Sequence, residues 1–360
     1  MHAFARWLPA CALLASVACA PATSAPGPAA GQASTAPNRP VAPAAAQAAA
    51  PPELVTINYA HPVISSQYLH LYVGQELGFY AAEGINLERV FVSQGNPAIA
   101  QGTVGGAYEL ASQSGDVLVQ SVEQGAPLVA VAGENRRAVF GIIAQPEITS
   151  WADFRGKALT LGAASVRGGT STVLRWILRQ QGLQEGPDFS FVAAGSTSER
   201  VSALRNRVIA AGLMGQPQDF MMQDEGFRLL GYTTEYLPEY AMANVGARRD
   251  WAEQNAELVV RFLRAHIRSI HWLYDPANRA EAIRLIQEAT RTEPQYAERS
   301  YALQVEQLQM WPPNGEMVPS ALEATIRVLV DEGELAAATP ASKYIDSRYW
   351  EQAVAAVGRR

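Results

Sequence analysis

Six short loops hold most of the side chains that could do chemistry in this chain: 61–67, Ser93–Asn96, Ser112–Gly115, Ser165–Ser171, Gly195–Ser198 and Gly215–Pro217. Each is rich in small hydroxyl, amide or glycine residues, and each stands between a short apolar run and a helical pattern. Such groups exchange hydrogen bonds but do not by themselves break covalent bonds. In open α/β sheets, loops of this kind aim helix N-terminal N–H groups into a crevice at the carboxyl ends of the strands. The chemistry expected is capture of a small molecule. The candidate contacts are His61, Ser65, Gln67 and Tyr68 in the first loop, Asn96 in the second, Ser112 and Ser114 in the third, and Gln216 in the last. Arg167, two glycines, Thr170 and Ser171 place a guanidinium, hydroxyls and a positive helix end together, which suits a carboxylate, sulfonate or phosphate. Tyr68, Tyr108 or Tyr240 could line an apolar part of the same ligand.

A catalytic reading finds nothing at diagnostic spacing. No serine stands in a nucleophile elbow, and no lysine follows a phosphate-binding glycine loop. His266 and His271 are five residues apart, so a helix does not bring both to one face as a metal pair. Cys11 and Cys19 are the only cysteines. The domain that follows them has no disulfide, thiolate metal site or cysteine nucleophile. We expect no enzyme activity, no cofactor and no metal site. A net charge of −6 with scattered basic residues also argues against nucleic acid as a partner.

The elements that must position these loops alternate in an α/β pattern. Strands are expected over 54–59, 86–92, 108–111, 128–132 and 158–161, and helices over 68–80 and 172–181. The strand, loop and helix opening occurs once in each half, which points to two similar lobes. From Trp251 onward the pattern is helical, with Leu258, Val259, Phe262, Leu263, Ile267, Ile270 and Tyr274 on one stripe. Further helices are expected over 277–289, 294–308 and 320–332.

Ahead of the domain, Arg6, the apolar stretch Cys11–Val17 and the small residues Ser16-Val17-Ala18-Cys19 make an export signal over 1–19 whose processing site ends in a lipid-accepting cysteine, Cys19. Residues 20–52 are almost entirely Ala, Pro, Gly, Ser, Thr and Gln, a composition that cannot bury enough apolar surface to fold and reads as a tether.

Gly78-Phe79-Tyr80-Ala81-Ala82-Glu83-Gly84-Ile85-Asn86-Leu87, Trp151-Ala152-Asp153-Phe154-Arg155-Gly156-Lys157, and Phe262-Leu263-Arg264-Ala265 with Trp272 occur in an order that resembles the type II periplasmic solute-binding proteins of ABC transporters. The branch they resemble contains nitrate, taurine, alkanesulfonate and thiamine-pyrimidine-precursor binding proteins. The resemblance implies a two-lobed α/β fold, each lobe a mixed sheet flanked by helices, with the ligand cleft between them. Lobe 1 would comprise 53–143 plus 241–360, and lobe 2 would comprise 144–240. It also implies a monomeric, exported and lipid-anchored receptor in the periplasm or at the cell surface. Such a receptor closes on a small anionic or aromatic molecule and delivers it to an inner-membrane permease. A ligand-sensing receptor facing a membrane sensor is the alternative. An enzyme of the thiamine-pyrimidine type is disfavoured, because that chemistry uses a cysteine-rich segment and iron.

Overall fold

The computed structural model describes residues 54–360; the signal, the tether and Cys19 lie outside the described residues. Ten strands form two five-stranded sheets. They are β1 (Val55–His61), β2 (Ile85–Phe91), β3 (Leu110–Gln113), β4 (Leu128–Asn135), β5 (Gly141–Ala144), β6 (Leu159–Ala163), β7 (Phe189–Ala193), β8 (Ala211–Met214), β9 (Arg228–Tyr232) and β10 (Ala243–Arg248). The first sheet runs β2-β1-β3-β10-β4 and the second β7-β6-β8-β5-β9.

Both sheets follow one plan. Three parallel strands come first, and the fourth strand is antiparallel to both of its neighbours. In each case that fourth strand is supplied by the chain as it crosses from the other sheet: β5 enters the second sheet directly after β4, and β10 enters the first directly after β9. The two openings seen in the sequence are therefore the starts of two lobes of matching topology. The first crossing lies at 136–140, because β5 pairs with β8 and β9. That corrects the expected end of the first lobe at 143: Gly141–Ile143 belong to the second sheet. The crossings lie side by side, and the Tyr240 N–H donates to the Arg136 carbonyl at 3.1 Å.

Helices cover the sheets. In chain order they are α1 (Leu69–Glu76), α2 (Phe79–Ala82), α3 (Asn96–Val104), α4 (Gly115–Glu123), α5 (Thr170–Gln180), α6 (Thr197–Arg205) and α7 (Gln218–Asp224). Then follow α8 (Thr233–Tyr236), α9 (Arg249–Gln254), α10 (Ala256–Leu273), α11 (Arg279–Thr290), α12 (Pro294–Tyr301), α13 (Pro319–Asp331) and α14 (Arg348–Val357). The helix expected over 68–80 is divided between α1 and α2, because Gly78 takes a left-handed φ of 71° and turns the chain. The helix expected over 294–308 changes after Tyr301 to a wider turn over Ala302–Gln307.

The stripe on α10 is core: Val259, Phe262, Leu263, Ile267 and Ile270 are fully buried, and Phe262 stacks on Tyr59 at 5.4 Å. His266 is buried between them, with its Nε2–H donating to the Gly133 carbonyl at 3.0 Å. Helix α13 serves both lobes. Leu322, Ile326 and Leu329 join a first-lobe cluster with Leu118 and Leu128, while Val328 packs with the second-lobe residues Leu174 and Leu213.

Candidate functional site

Between the sheets lies a cavity of ≈ 50 Å³, enough for roughly three to five water-sized groups. The first lobe supplies Val63, Gln67, Tyr68 and Asn96 to its wall; the second supplies Ala164, Gly168, Gly169, Thr170, Ser196, Thr197 and Arg200; Asn135, Phe140, Met242 and Ala243 come from the crossings and the strand ends beside them. Each contributor sits at a strand end or a helix start, the position that the loop pattern predicts.

Four of the expected contacts reach this wall, and their polar atoms are held in place. Gln67 Nε2–H donates to the Val139 carbonyl at 3.0 Å, tying the first-lobe loop to the first crossing. The Tyr68 hydroxyl pairs with Ser112 Oγ at 3.0 Å, so Ser112 stands behind the wall as its support. Asn96 Oδ1 accepts from the Ser114 N–H at 3.0 Å, and Thr170 Oγ1 accepts from the Ala164 N–H at 3.4 Å.

The others do not line the cavity. His61 is buried, its Nδ1–H donating to the Val63 carbonyl at 3.0 Å and its ring 5.2 Å from Tyr68; burial pushes its pKa down to about 4, so it is neutral at pH 7. Ser65 caps the turn at Ser66–Tyr68 by accepting from the Gln67 N–H. Ser171 Oγ donates to the Gly168 carbonyl within its own loop. Gln216 is buried away from the cavity, donating to Asp219 and accepting from Gln304, and its carbonyl accepts from Ser66 Oγ across the lobes at 3.2 Å. Tyr240 packs in the second-lobe core. Tyr108 lies against the Val92 and Ile99 cluster.

Arg167 is the main departure from expectation. Its side chain is exposed and lines grooves on the outside of the molecule with Gln120 and Gln124, not the cavity. The reason is the turn that follows it. Gly168 and Gly169 take φ of +82° and +60°, and a Cβ at Gly168 would come within 2.9 Å of Val117 Cγ2. The backbone thus passes against α4 of the first lobe, where the Gly169 N–H donates to the Asp116 carboxylate. Glycine at both positions permits that close passage, and the turn sends the preceding side chain outward.

The guanidinium that does reach the wall is Arg200, on the first turn of α6. It is 3 % exposed. Its Nε–H donates to the Leu213 carbonyl at 3.0 Å, one terminal nitrogen donates to the Gly195 carbonyl, and the other donates to Thr197 Oγ1 at 3.0 Å. Burial lowers its pKa to about 10, which leaves it charged at neutral pH. A signal for it exists in the sequence. Ser196 and Glu199 form a capping box, which fixes the helix start. Arg200 therefore places a cation at the positive end of a helix, against the usual preference for anions there.

A family model described as NMT1/THI5 like matches residues 65–280, more than half of the chain, and the chain belongs to that family. No curated sequence matches it. Among solved structures, the periplasmic nitrate-binding protein NrtA from Synechocystis PCC 6803 superposes with a TM-score of 0.72 at 18% identity, covering 85% of this chain and 90% of that one. The alkanesulfonate-binding protein SsuA from Xanthomonas axonopodis pv. citri, bound to MOPS, gives 0.64 at 17% identity over 83% of this chain and 100% of that one. A ligand-binding component of an ABC-type import system from Staphylococcus aureus, with zinc bound, gives 0.68 at 14% identity over 84% and 99%. At these identities the likeness is one of fold: the two-lobed, type II periplasmic-binding-protein fold.

Proposed function

We propose that this chain is the extracytoplasmic solute-binding component of an ABC importer, a receptor that closes two lobes on a small organic molecule and delivers it to a membrane permease without chemical change. The observation that carries this reading is a cavity whose wall is contributed by both lobes while the lobes are joined through adjacent crossings. A molecule held there touches both lobes at once, so it favours the closed arrangement by its differential affinity for it. The nitrate- and sulfonate-binding proteins of the same fold support the reading. So does a wall that combines amides and hydroxyls with the apolar side chains of Val63, Phe140 and Met242, which suits binding more than turnover.

In this reading lobe 1 is 53–140 plus 241–360, lobe 2 is 141–240, Cys19 carries the anchor, and 20–52 is the leash that lets a monomer reach its permease. A thermal-shift screen over sulfonates, carboxylates, aromatic acids and pyrimidines should find a ligand, since a hundredfold excess over Kd adds about 2.7 kcal/mol of stability. Small-angle scattering with that ligand should then give a smaller radius of gyration than without it; an unchanged radius at saturation counts against closure. Replacing Cys19→Ser should move the exported protein from the membrane to the soluble fraction.

A further inference from the structure

The turn that carries Gly168 and Gly169 is cavity wall and lobe interface at once. It belongs to the second lobe and rests on the starts of two first-lobe helices. A Cβ at Gly168 would lie 2.9 Å from Val117 Cγ2 on α4, 3.8 Å from Asp116 Oδ2 and 3.9 Å from Pro97 Cγ on α3. Asp116, on the first turn of α4, is completely buried. Its Oδ2 accepts from the Gly169 N–H, and its Oδ1 makes no hydrogen bond. Part of what covers this carboxyl therefore comes from the other lobe. A parting of the lobes carries the turn away with the second sheet and lets water reach the group.

Its surroundings supply no counter-ion. Among the described residues, no Lys, Arg or His nitrogen stands within 4.0 Å of Asp116. Arg167, in the same turn, points outward into grooves that it shares with Gln120 and Gln124. Helix α3 brings Asn96 and Pro97, and the turn brings backbone alone. The second crossing brings Tyr240, whose buried hydroxyl has no partner; burial pushes that hydroxyl up, and the charges of Asp116 and Glu334 push it further. The start of α4 and the Gly169 N–H favour a carboxylate by partial charges only. Stripping water from an ion without a counter-ion is costly, and a neutral carboxyl is far cheaper to bury. Burial accordingly raises the Asp116 carboxyl above its ordinary value, outweighing the hydrogen bond from Gly169.

We propose that closure of the lobes is proton-linked at Asp116: the carboxyl is ionised while the lobes are apart and takes up a proton as the turn at Gly168 and Gly169 seats on α4. This goes beyond the receptor reading and rests on it for the motion. With the lobes apart the group ionises near its ordinary value, and with the lobes together it keeps its proton to higher pH. Closure is thus favoured most below the ordinary value and loses that advantage as pH rises through the raised one. Inside this window the closed-to-open ratio should change about tenfold per pH unit, the effect of one proton. Because the same turn walls the cavity, a molecule that closes the lobes also draws in the proton, and acid tightens its binding in return.

The test needs no ligand. Small-angle scattering is recorded on the full chain from about pH 4.5 to about pH 8, bracketing the range over which a raised carboxyl titrates, for the wild type, Asp116→Asn and Asp116→Lys. The Asn variant keeps the shape of the neutral carboxyl and cannot titrate, so its radius of gyration should be small and constant. The Lys variant sets a cation against the positive start of α5 and should part the lobes. The wild type should be larger than the Asn variant at neutral pH and converge on it toward acid. Cooperative melting must first show that each variant folds; should the Lys variant fail, the wild-type and Asn curves decide. A wild-type radius that is constant, one that grows toward acid, or an Asn variant that follows the wild-type curve each overturn the proposal. The receptor reading falls separately. A Lys variant that expands while the wild type stays constant shows lobes that part without a proton at Asp116, whereas a radius unmoved by either variant or by pH removes closure as well.

Discussion

In the first lobe the buried carboxylate of Glu134 has its complement beside it. His70 Nε2 stands 2.9 Å from Glu134 Oε1, and the Tyr59 hydroxyl donates to the same oxygen at 3.1 Å. Burial alone would raise the Glu134 carboxyl, yet the hydrogen bond and charge of His70 hold it below its ordinary value. In the second lobe the treatment is mixed: Arg175 pairs with Glu185 at 2.8 Å, while Arg200 and Asp219 have no ion partner within 4.0 Å. Arg200 rests on neutral oxygens, and Asp219, held by the Gln216 amide and the Phe220 N–H, is pushed up to about 7 by burial. The lobes share a topology, and the contrast is between sites rather than between whole lobes, since the first-lobe Asp116 is likewise buried without a cation and burial raises its carboxyl. Breaking a buried pair strands the remaining partner, while a buried ion without one carries its desolvation cost with little compensation.

Removing the paired charge should have the largest effect. Glu134→Ala leaves His70 and the Tyr59 hydroxyl in a dry core, where breaking a buried pair typically costs about 3–5 kcal/mol. Urea unfolding measures it, and a loss under about 1 kcal/mol, the value of an exposed pair, would erase the contrast between the sites.

The next effect is on pH dependence. His61 and His266 have folded pKa values near 4 against an ordinary 6.5, so below pH 6.5 the unfolded chain takes up protons that the folded one refuses, and stability falls as pH drops toward 4. Asp219 works in the opposite sense. Its folded value of about 7 against 3.8 means that the unfolded chain ionises first, so its contribution is full below 3.8 and is lost as pH rises to 7. Asp219→Asn removes that opposing slope. Between pH 4 and 6.5 the variant's stability should fall toward acid more steeply than the wild type's, by about 1.4 kcal/mol per pH unit. Urea midpoints across that range check it, and parallel curves would show that Asp219 titrates as an ordinary carboxylate.

The smallest effect belongs to the arginine that sequence spacing favours. Arg167→Ala should leave ligand affinity within about twofold of wild type, on a scale where tenfold is 1.4 kcal/mol, because the side chain faces solvent. A larger loss by calorimetry would place the ligand site outside the cavity and break the comparison.

The frame of the site is legible in the sequence because it rests on local signals. Ser65 caps its turn, the Ser196 and Glu199 box starts α6, and the glycines at 78 and 168–169 mark where the chain turns, so the loops fall where their composition says. Which loop residues face the cavity is a different matter. Arg167 points out and Thr170 points in because of how the 168–169 turn passes α4, a contact between segments some fifty residues apart. Arg200 looks in sequence like a solvated helix residue. Only the packing of α6 against β8 buries it, and the one local hint is a cation on the first turn of a helix. The first crossing is early by a few residues for a related reason: the apolar run through 138–144 has no periodicity to say which sheet receives it.

The bond between the Tyr240 N–H and the Arg136 carbonyl ties the two crossings together at one point. Helix α13 adds a second link, since it packs against both lobes. Gln67 and Tyr68 come to the cavity from one lobe, and Thr170 and Arg200 come to it from the other. The wall side chains are themselves part of the framework, since Gln67 holds the first crossing and Arg200 holds the end of β8.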